Sequence, residues 1–203
     1  MNSKDRTSCI QRYDGRFPIF GVSPESLGWG GGKERQISRF RAAAEFSRFT
    51  NRTVKSVLDV GCGFGDLGAW LSQNNPEIEY SGIDINSSLV EKGRLQYQLN
   101  LAVKDISCIG DQSYDLVIAN GIFNFRLLHE VHEDYIRNML SRFMSIARVG
   151  IAVDFMSTYV DFQHPGAFHC PEALVVEVIK SRTKRYVIRN DYLDFEYMAY
   201  AFL

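Results

Sequence analysis

The sequence has no long apolar run, since no stretch free of Asp, Glu, Lys and Arg exceeds ten residues. A membrane-spanning helix needs about 20 predominantly apolar residues, so we expect no transmembrane segment. The N-terminal residues lack the apolar core of a secretory signal, which makes the cytoplasm the expected compartment. The four cysteines are scattered and form no CxxC pair. Reduced thiols are therefore expected, with neither a disulfide framework nor a zinc site.

Net charge is also nearly absent. The 203 residues contain 23 Lys and Arg against 24 Asp and Glu, a formal charge of −1 at pH 7. This balance supplies no global field that would hold the chain on nucleic acid or on an anionic membrane, so we expect a small-molecule partner. Apolar residues make up 45% of the chain, which is typical of a globular domain, and the length suits one domain with a sizeable core.

Short β-rich runs alternate with helices along most of the chain. Before them, Gly15 to Gly32 holds six glycines and predicts an irregular arm, and Lys33 to Phe49 predicts an amphipathic cap helix. Strands are predicted at 56–60, 80–85, 102–106, 114–120, 150–156, 186–189 and 196–203, and further helices at 67–73, 89–99, 131–147 and 171–182. Alternating βα units predict an α/β fold with a mostly parallel seven-stranded sheet, in which only the terminal hairpin strand is antiparallel. We therefore divide the chain into an arm and cap, residues 1–50, and a main domain, residues 51–203.

A glycine-rich turn follows the first strand, in the segment VLDVGCGFGDLGAWL. Gly61, Gly63 and Gly65 come after the carboxyl end of that strand, where ligands of open α/β sheets bind. A dinucleotide site needs GxGxxG, but the third glycine comes one residue early and Asp66 takes its place. Asp59, just before the turn, would repel phosphate and attract an ammonium or sulfonium group. The turn therefore predicts a cationic ligand rather than a pyrophosphate.

Acidic residues end the next two strands as well. Asp84, in GIDIN, is placed where a carboxylate can accept both hydroxyls of a ribose. Asp105, in VKDI, then lies near the space that an adenine would fill. Acidic residues thus end three successive strands of the predicted sheet.

These segments, together with YDLVIANGIFNF in the fourth strand, resemble the class I S-adenosylmethionine-dependent methyltransferases of the small-molecule type. The resemblance implies a Rossmann-like methyltransferase fold and S-adenosylmethionine as cofactor. Asp59 would orient its amino group directly or through water, Asp84 would hold the ribose, Asp105 and the Ile106 backbone would meet the adenine, and Asn120 would lie near the methionine end. The cofactor-binding residues that the resemblance implies are Asp59, Gly61, Cys62, Gly63, Gly65, Asp84, Ile85, Asp105, Ile106 and Asn120.

An aromatic-rich insertion, residues 157–170, lies where an acceptor would enter and is predicted to form a lid. Its His164 and His169 are candidates for removing a proton from an acceptor hydroxyl or amine, and Tyr13 in the arm is a third catalytic candidate. The alternative is a loop whose aromatic residues only anchor it on the core. Trp29 in the arm could likewise order the ligand or simply pack.

The cap helix is basic, with Lys33, Arg35, Arg39, Arg41 and Arg48. These residues form either a solvated face or a surface that captures an acidic acceptor.

The sequence predicts neither a metal site at its histidines nor a nucleophile at Cys62. His129 and His132 are spaced like metal ligands, but no third ligand lies nearby, so we expect no metal. Cys62 has no base near it in sequence and is expected to fill space in its loop rather than act as a nucleophile.

The sequence as a whole predicts an enzyme that transfers a methyl group from S-adenosylmethionine to an oxygen or nitrogen of a small molecule. Two alternatives stay open at this point. One is other chemistry on the same cofactor, such as aminocarboxypropyl transfer or cyclisation, and the other is a non-catalytic subunit that keeps the fold.

Overall fold

The computed structural model describes residues 1–203, and its strands form one seven-stranded sheet in the order β3-β2-β1-β4-β5-β7-β6. The strands are β1 (Ser56–Val60), β2 (Glu79–Asp84), β3 (Leu101–Val103), β4 (Tyr114–Ala119), β5 (Ala147–Met156), β6 (Tyr186–Arg189) and β7 (Glu196–Phe202). Neighbouring strands from β3 to β5 are parallel, and β7 is antiparallel to both β5 and β6. The prediction of a mostly parallel sheet with one antiparallel hairpin strand is confirmed.

Helices cover both faces of this sheet. They are α1 (Ser3–Phe20), α2 (Gly32–Ala44), α3 (Asp66–Asn74), α4 (Ser87–Tyr97), α5 (His132–Ile146) and α6 (Glu172–Lys180), with short 3-10 turns at Glu45–Phe49 and Ile106–Cys108. Successive residues of β1 pack in two different hydrophobic clusters. Leu58 belongs to the cluster that includes residues of α5 and α6, and Val57 belongs to the cluster that includes residues of α2 and α3. The sheet is therefore buried on both sides, and its strand ends are left to form a site. No helix is both long and apolar enough to span a bilayer.

The N-terminal segment differs from the prediction. Residues expected to begin an irregular arm belong instead to α1, which contains both Gly15 and Pro18. The helix ends at Gly21, whose φ is 63° and whose amide donates to the carbonyl of Phe17. Only the loop 21–31 is irregular. We call α1 and this loop, residues 3–31, the N-terminal roof.

A buried carboxylate ties the roof to the main domain. Asp5, 1% exposed, accepts hydrogen bonds from the backbone amides of Leu128 and His129, at 2.9 and 3.1 Å. These bonds link α1 to the segment between β4 and α5. Because the carboxyl end of β4 lies beside the glycine turn, α1 is held above the predicted site.

The third strand is shorter than predicted. Its pairing ends at Val103, and Asp105 caps the 3-10 turn that follows by accepting the amide of Ser107. The predicted gap between α5 and β5 is absent as well, since α5 ends at Ile146 and β5 begins at Ala147.

Candidate functional site

The glycine turn joins β1 to α3 in a conformation that needs glycine. Gly61 and Gly63 have φ values of 75° and 55°, in the left-handed region that side chains disfavour. Close neighbours add a second reason, because a Cβ at Gly61 would lie 2.3 Å from Ile122 and one at Gly63 would lie 2.9 Å from Leu27. The amide of Gly61 also donates to the carbonyl of Ile83 at 2.8 Å, which fixes the turn against the end of β2.

A cavity of about 700 Å³ lies over this turn at the carboxyl ends of the parallel strands. Its walls come from the glycine turn, the ends of β2 and β3, the segment after β4 and the N-terminal roof. A volume of this size is in the range of small-molecule and cofactor sites. Of the predicted cofactor residues, the structure brings seven into the wall: Gly61, Gly63, Asp84, Ile85, Asp105, Ile106 and Asn120.

Asp84 holds the glycine turn and also faces the cavity. One carboxylate oxygen accepts the amide of Gly63 at 2.9 Å, and the other accepts the amide of Asn86 at 2.8 Å. Burial raises the pKa of Asp84, although these backbone bonds oppose the shift. Each oxygen of a carboxylate can accept more than one hydrogen bond, so both can also receive a hydroxyl.

Asp105 faces the same cavity with a partner that the sequence did not suggest. Arg6 of α1 lies 2.8 Å from its Oδ2, and the amide of Ser107 donates to its Oδ1 at 3.0 Å. The hydrogen bond from the backbone amide of Ser107 lowers the pKa of Asp105 more than the ion pair with Arg6 does. This pair places α1 across the end of the cavity next to Ile106.

Asp59 lies just behind the wall rather than in it. Its carboxylate accepts the hydroxyl of Tyr80 at 2.7 Å, and burial raises its pKa to about 7. A second, small cavity of about 30 Å³ separates Asp59 from the large one, with Gly61 and Asn120 on the border of both. That space is large enough for water, so a route through water fits the geometry better than direct contact.

Asn120 is the least satisfied polar side chain in the site. It is 9% exposed, and neither its Oδ1 nor its Nδ2 has a hydrogen-bond partner. Buried amides are nearly always hydrogen-bonded, so this pair of atoms points to a ligand or water as the partner.

Besides Asp59, two more of the predicted cofactor residues do not line the large cavity. Cys62 is 7% exposed and packs against Gly82, where an added Cβ would lie 2.9 Å from its sulfur. Burial raises the pKa of its thiol well above the usual range, as expected of a space-filling cysteine. Gly65 is the N-cap residue that precedes α3, and it lies against Leu101. Both residues shape the turn rather than meet a ligand in the cavity.

The wall beyond Asn120 is built from the roof, α2 and β7. The indole of Trp29 packs against Gly121, where an added Cβ would lie 2.4 Å from the indole ring. The guanidinium of Arg39 stacks over this indole, 4.4 Å from the ring centroid. Arg39 also forms a buried two-bond ion pair with Glu196, one bond of which is 2.7 Å from Nε to Oε2. The sequence did not suggest this pair.

Asp154 supports that wall from behind. It is 1% exposed, and its Oδ1 accepts the amide of Gly121. Its Oδ2 has no hydrogen bond and lies 3.9 Å from Nε of Arg39. Burial raises the pKa of Asp154 to about 7, and the neighbouring Glu196 adds to the shift.

The three catalytic candidates are placed differently. Tyr13 and His164 line the cavity, whereas His169 does not. His169 is 7% exposed and its Nδ1 lies 2.8 Å from the carbonyl of Ser157, so the ring packs within its own segment. The expectation that His169 faces an acceptor is corrected on this ground.

The chemistry open to the other two is narrow. Burial raises the pKa of Tyr13 to about 12, so its hydroxyl stays protonated and can donate a hydrogen bond. Nδ1 of His164 accepts the amide of Gly166 at 3.0 Å, which leaves the proton of the neutral ring on Nε2. In these states both side chains are donors rather than bases.

The histidine pair at the start of α5 is structural. His132 stacks on Phe168 with ring centroids 3.9 Å apart, and its Nδ1 accepts the amide of Leu127 while Nε2 lies 3.0 Å from the carbonyl of Phe123. His129 uses its backbone amide to bind Asp5. No group of three or more His, Cys, Asp or Glu side chains is placed to hold a metal ion.

Comparison with known proteins agrees with this geometry. A family model described as "Methyltransferase domain" matches residues 58–150. Rv1506c, a provisionally named methyltransferase of Mycobacterium tuberculosis, is 26% identical over 149 residues, which is 70% of this chain and 89% of that protein.

Solved methyltransferases share the fold at lower identity. Magnesium protoporphyrin IX methyltransferase of Synechocystis PCC 6803 with bound S-adenosylmethionine has a TM-score of 0.69 and 18% identity, covering 100% of this chain and 99% of that one. The plantazolicin methyltransferase BpumL, in complex with a pentazolic desmethylPZN analogue and S-adenosylhomocysteine, has a TM-score of 0.64 and 13% identity, covering 99% of each chain. At such identities the likeness shows the fold alone.

The sheet order, the glycine turn and the acidic strand ends define a Rossmann-like methyltransferase fold. Residues 58–150 match the methyltransferase-domain family model, and the whole chain has the fold of S-adenosylmethionine-dependent methyltransferases.

Proposed function

We propose that this enzyme transfers a methyl group from S-adenosylmethionine to an oxygen or nitrogen of a small-molecule acceptor. The observation that carries the proposal is a single cavity of about 700 Å³ that joins the predicted cofactor residues to a separate wall beyond Asn120. One cavity of this size has room for a cofactor and an acceptor side by side. The two structural neighbours described above are named for a porphyrin and for plantazolicin, so the fold accepts acceptors of quite different size.

The residues present fit the cofactor. Its bound form supplies a methyl group activated on a sulfonium sulfur. Asp84 would accept the ribose hydroxyls, and Asp105 with the backbone of Ile106 would meet the adenine. The unpartnered amide of Asn120 and, through water, the carboxylate of Asp59 would meet the methionine portion.

Two segments would exclude water from the cavity. The N-terminal roof places Leu27 against the glycine turn and Trp29 against Gly121. Within residues 157–170, the carbonyl of Gly166 accepts the amide of Arg126, so this segment is pinned beside the cavity. Together they would form the lid, and alignment of the reactants under it can supply about 7 to 11 kcal/mol of the barrier.

Catalysis in such a site would need no strong base. Tyr13 and His164 would orient the acceptor by donating hydrogen bonds from Oη and Nε2. The proton of an ionisable hydroxyl acceptor would pass to solvent before the lid closes, and the proton of a methylated amine would pass to solvent after it opens.

Calorimetry and product analysis test the proposal. We expect S-adenosylmethionine and S-adenosylhomocysteine to bind at low micromolar concentrations or below and NAD to bind more weakly, because acidic residues follow the strands. Turnover should leave S-adenosylhomocysteine. Methylthioadenosine as the product would indicate chemistry on the aminocarboxypropyl chain instead, and tighter binding of NAD would overturn the cofactor site.

A further inference from the structure

Arginine is concentrated on the acceptor wall of the cavity, which we define as the lining beyond Asn120. Arg12 of α1 and Arg35 and Arg39 of α2 all line this wall, and Glu196 is its only carboxylate. The other two acidic residues in the lining, Asp84 and Asp105, belong to the strand ends on the cofactor side.

Glu196 is already satisfied by its neighbours. Arg39 binds it with two hydrogen bonds, and Nη2 of Arg35 lies 3.5 Å from the same carboxylate. Since one carboxylate neutralises one guanidinium, the Arg39–Glu196 pair has no net charge. Arg35, whose side chain is 37% exposed, is left with most of its hydrogen-bonding capacity unused.

Arg12 has no anionic partner at all. It forms no ion pair, and its guanidinium lies over the ring of Phe125 at 4.6 Å. Arg12 and Arg35 flank the same turn of the roof, because Nη2 of Arg12 is 3.9 Å from a Cβ placed at Gly28 and the stem of Arg35 lies against Gly31. Two cations thus border one part of the wall.

Buried donors without partners lie beside them. Nη1 of Arg39 has no acceptor although the residue is 4% exposed, and the amide nitrogen of Asn120 has none either. A buried donor without an acceptor destabilises the folded state. An acceptor oxygen in the cavity would satisfy such donors.

The charge balance of the wall is positive. Three guanidiniums face one carboxylate, and Asp154 behind the wall has its pKa raised to about 7, so it adds only part of a negative charge at neutral pH. A positive surplus in a cleft attracts an anion, and the planar fork of arginine matches a carboxylate. A single negative charge suits this site better than two, because Glu196 stays close by.

Apolar side chains make up much of the remaining wall. Ile122, Met156 and Phe125 line it, so the body of a ligand anchored there would contact hydrocarbon and aromatic surface. This combination selects molecules with one anionic end and an apolar remainder.

We propose that the methyl acceptor is an organic acid with an apolar body, whose carboxylate is bound by Arg35 and Arg12 on the acceptor wall. The inference rests on the proposed function and narrows its substrate class. Arg35 and Arg12 are specificity-determining residues, and the Arg39–Glu196 pair holds the wall in place.

Matched pairs of probes test this proposal on the full chain saturated with S-adenosylhomocysteine. Benzoate, cinnamate and indole-3-acetate are each compared with their primary amides, which have the same shape without the charge. Dissociation constants are measured by ligand-observed NMR titration. We expect at least one acid to bind tenfold or more tightly than its amide.

Variants assign the preference to the wall. Arg35→Gln and Arg12→Gln should each weaken the acid about tenfold and leave the amide unchanged, with circular dichroism as the check on folding. Arg41→Gln is the matched control, since Arg41 is exposed on the same helix as Arg35 and forms no ion pair.

Three results would overturn the inference: no acid in the panel binds, the amides bind as tightly as the acids, or both wall variants keep the preference for the acid. Failure of S-adenosylhomocysteine to bind would instead refute the proposed function, so the two failures are distinguishable.

Discussion

Replacement of Asp84 by Ala is the sharpest test of the cofactor site. The substitution removes the acceptor of two backbone amides, those of Gly63 and Asn86, as well as the proposed ligand of the ribose. Loss of a charge-assisted bidentate contact to the ribose should cost about 1.5 to 3 kcal/mol. That range corresponds to about tenfold to 150-fold weaker binding of S-adenosylhomocysteine.

Stability and binding change separately in this variant. Leaving two amides without an acceptor should lower the free energy of unfolding by about 1 to 3 kcal/mol. For a chain of this length, the Tm should then fall by about 2 to 12 °C. Isothermal titration calorimetry well below the Tm measures the affinity of the folded protein, and differential scanning calorimetry measures the Tm.

Two further variants serve as an intermediate case and as a control. Asp84→Asn keeps one carbonyl oxygen and should lie between the wild type and Asp84→Ala in both measurements. Asp194→Ala removes an exposed carboxylate between β6 and β7 and should change neither. If folded Asp84→Ala binds S-adenosylhomocysteine as tightly as the wild type, the ribose is held elsewhere and the assignment of Asp84 is wrong.

Other parts of the chain respond to other perturbations. Saturating S-adenosylhomocysteine should slow chymotrypsin cleavage after the exposed Tyr159 and Phe162, and unchanged cleavage there would argue against a lid coupled to the cofactor. Burial lowers the pKa of His132 from 6.5 to about 4, so the unfolded state takes up the proton first and the free energy of unfolding should fall as the pH drops through this window. His132→Gln should therefore shrink the difference between urea titrations at pH 7 and pH 5, and an equal difference in both proteins would contradict the assignment. Arg39→Met removes both hydrogen bonds to Glu196 and leaves only the longer contact with Arg35, so it should lower the free energy of unfolding by about 3 kcal/mol, and the added change Glu196→Gln should recover much of that loss. Independent, additive losses would show that the two residues are not coupled.

The sheet could be predicted because each strand carries its own local pattern. Alternating βα units fix a parallel order with helices on both faces, and the terminal hairpin adds one antiparallel strand. Helix α1 was missed for an equally local reason. Gly15 and Pro18 disfavour a helix interior, and contacts such as those of Asp5 with the segment after β4, which help hold this helix, are remote in sequence.

The two sides of the cavity differed in how far they could be predicted from the sequence. The cofactor side follows from one contiguous motif and from acidic strand ends, which parallel topology brings to one edge. The acceptor wall depends on residues far apart in the chain, since Arg39 and Glu196 are 157 positions apart. The basic helix is not one uniform solvated face, because Arg39 is buried in the wall while Arg41 of the same helix is exposed.

The division of the cavity between two parts of the chain has an evolutionary consequence. All of the proposed cofactor contacts lie within residues 58–150, which match the family model, whereas Trp29, Arg39 and Glu196 come from outside that stretch. Substitutions in the roof, α2 or β7 can therefore alter the acceptor wall while the cofactor scaffold is inherited unchanged. Proteins that match this chain only over residues 58–150 therefore need not share its acceptor wall.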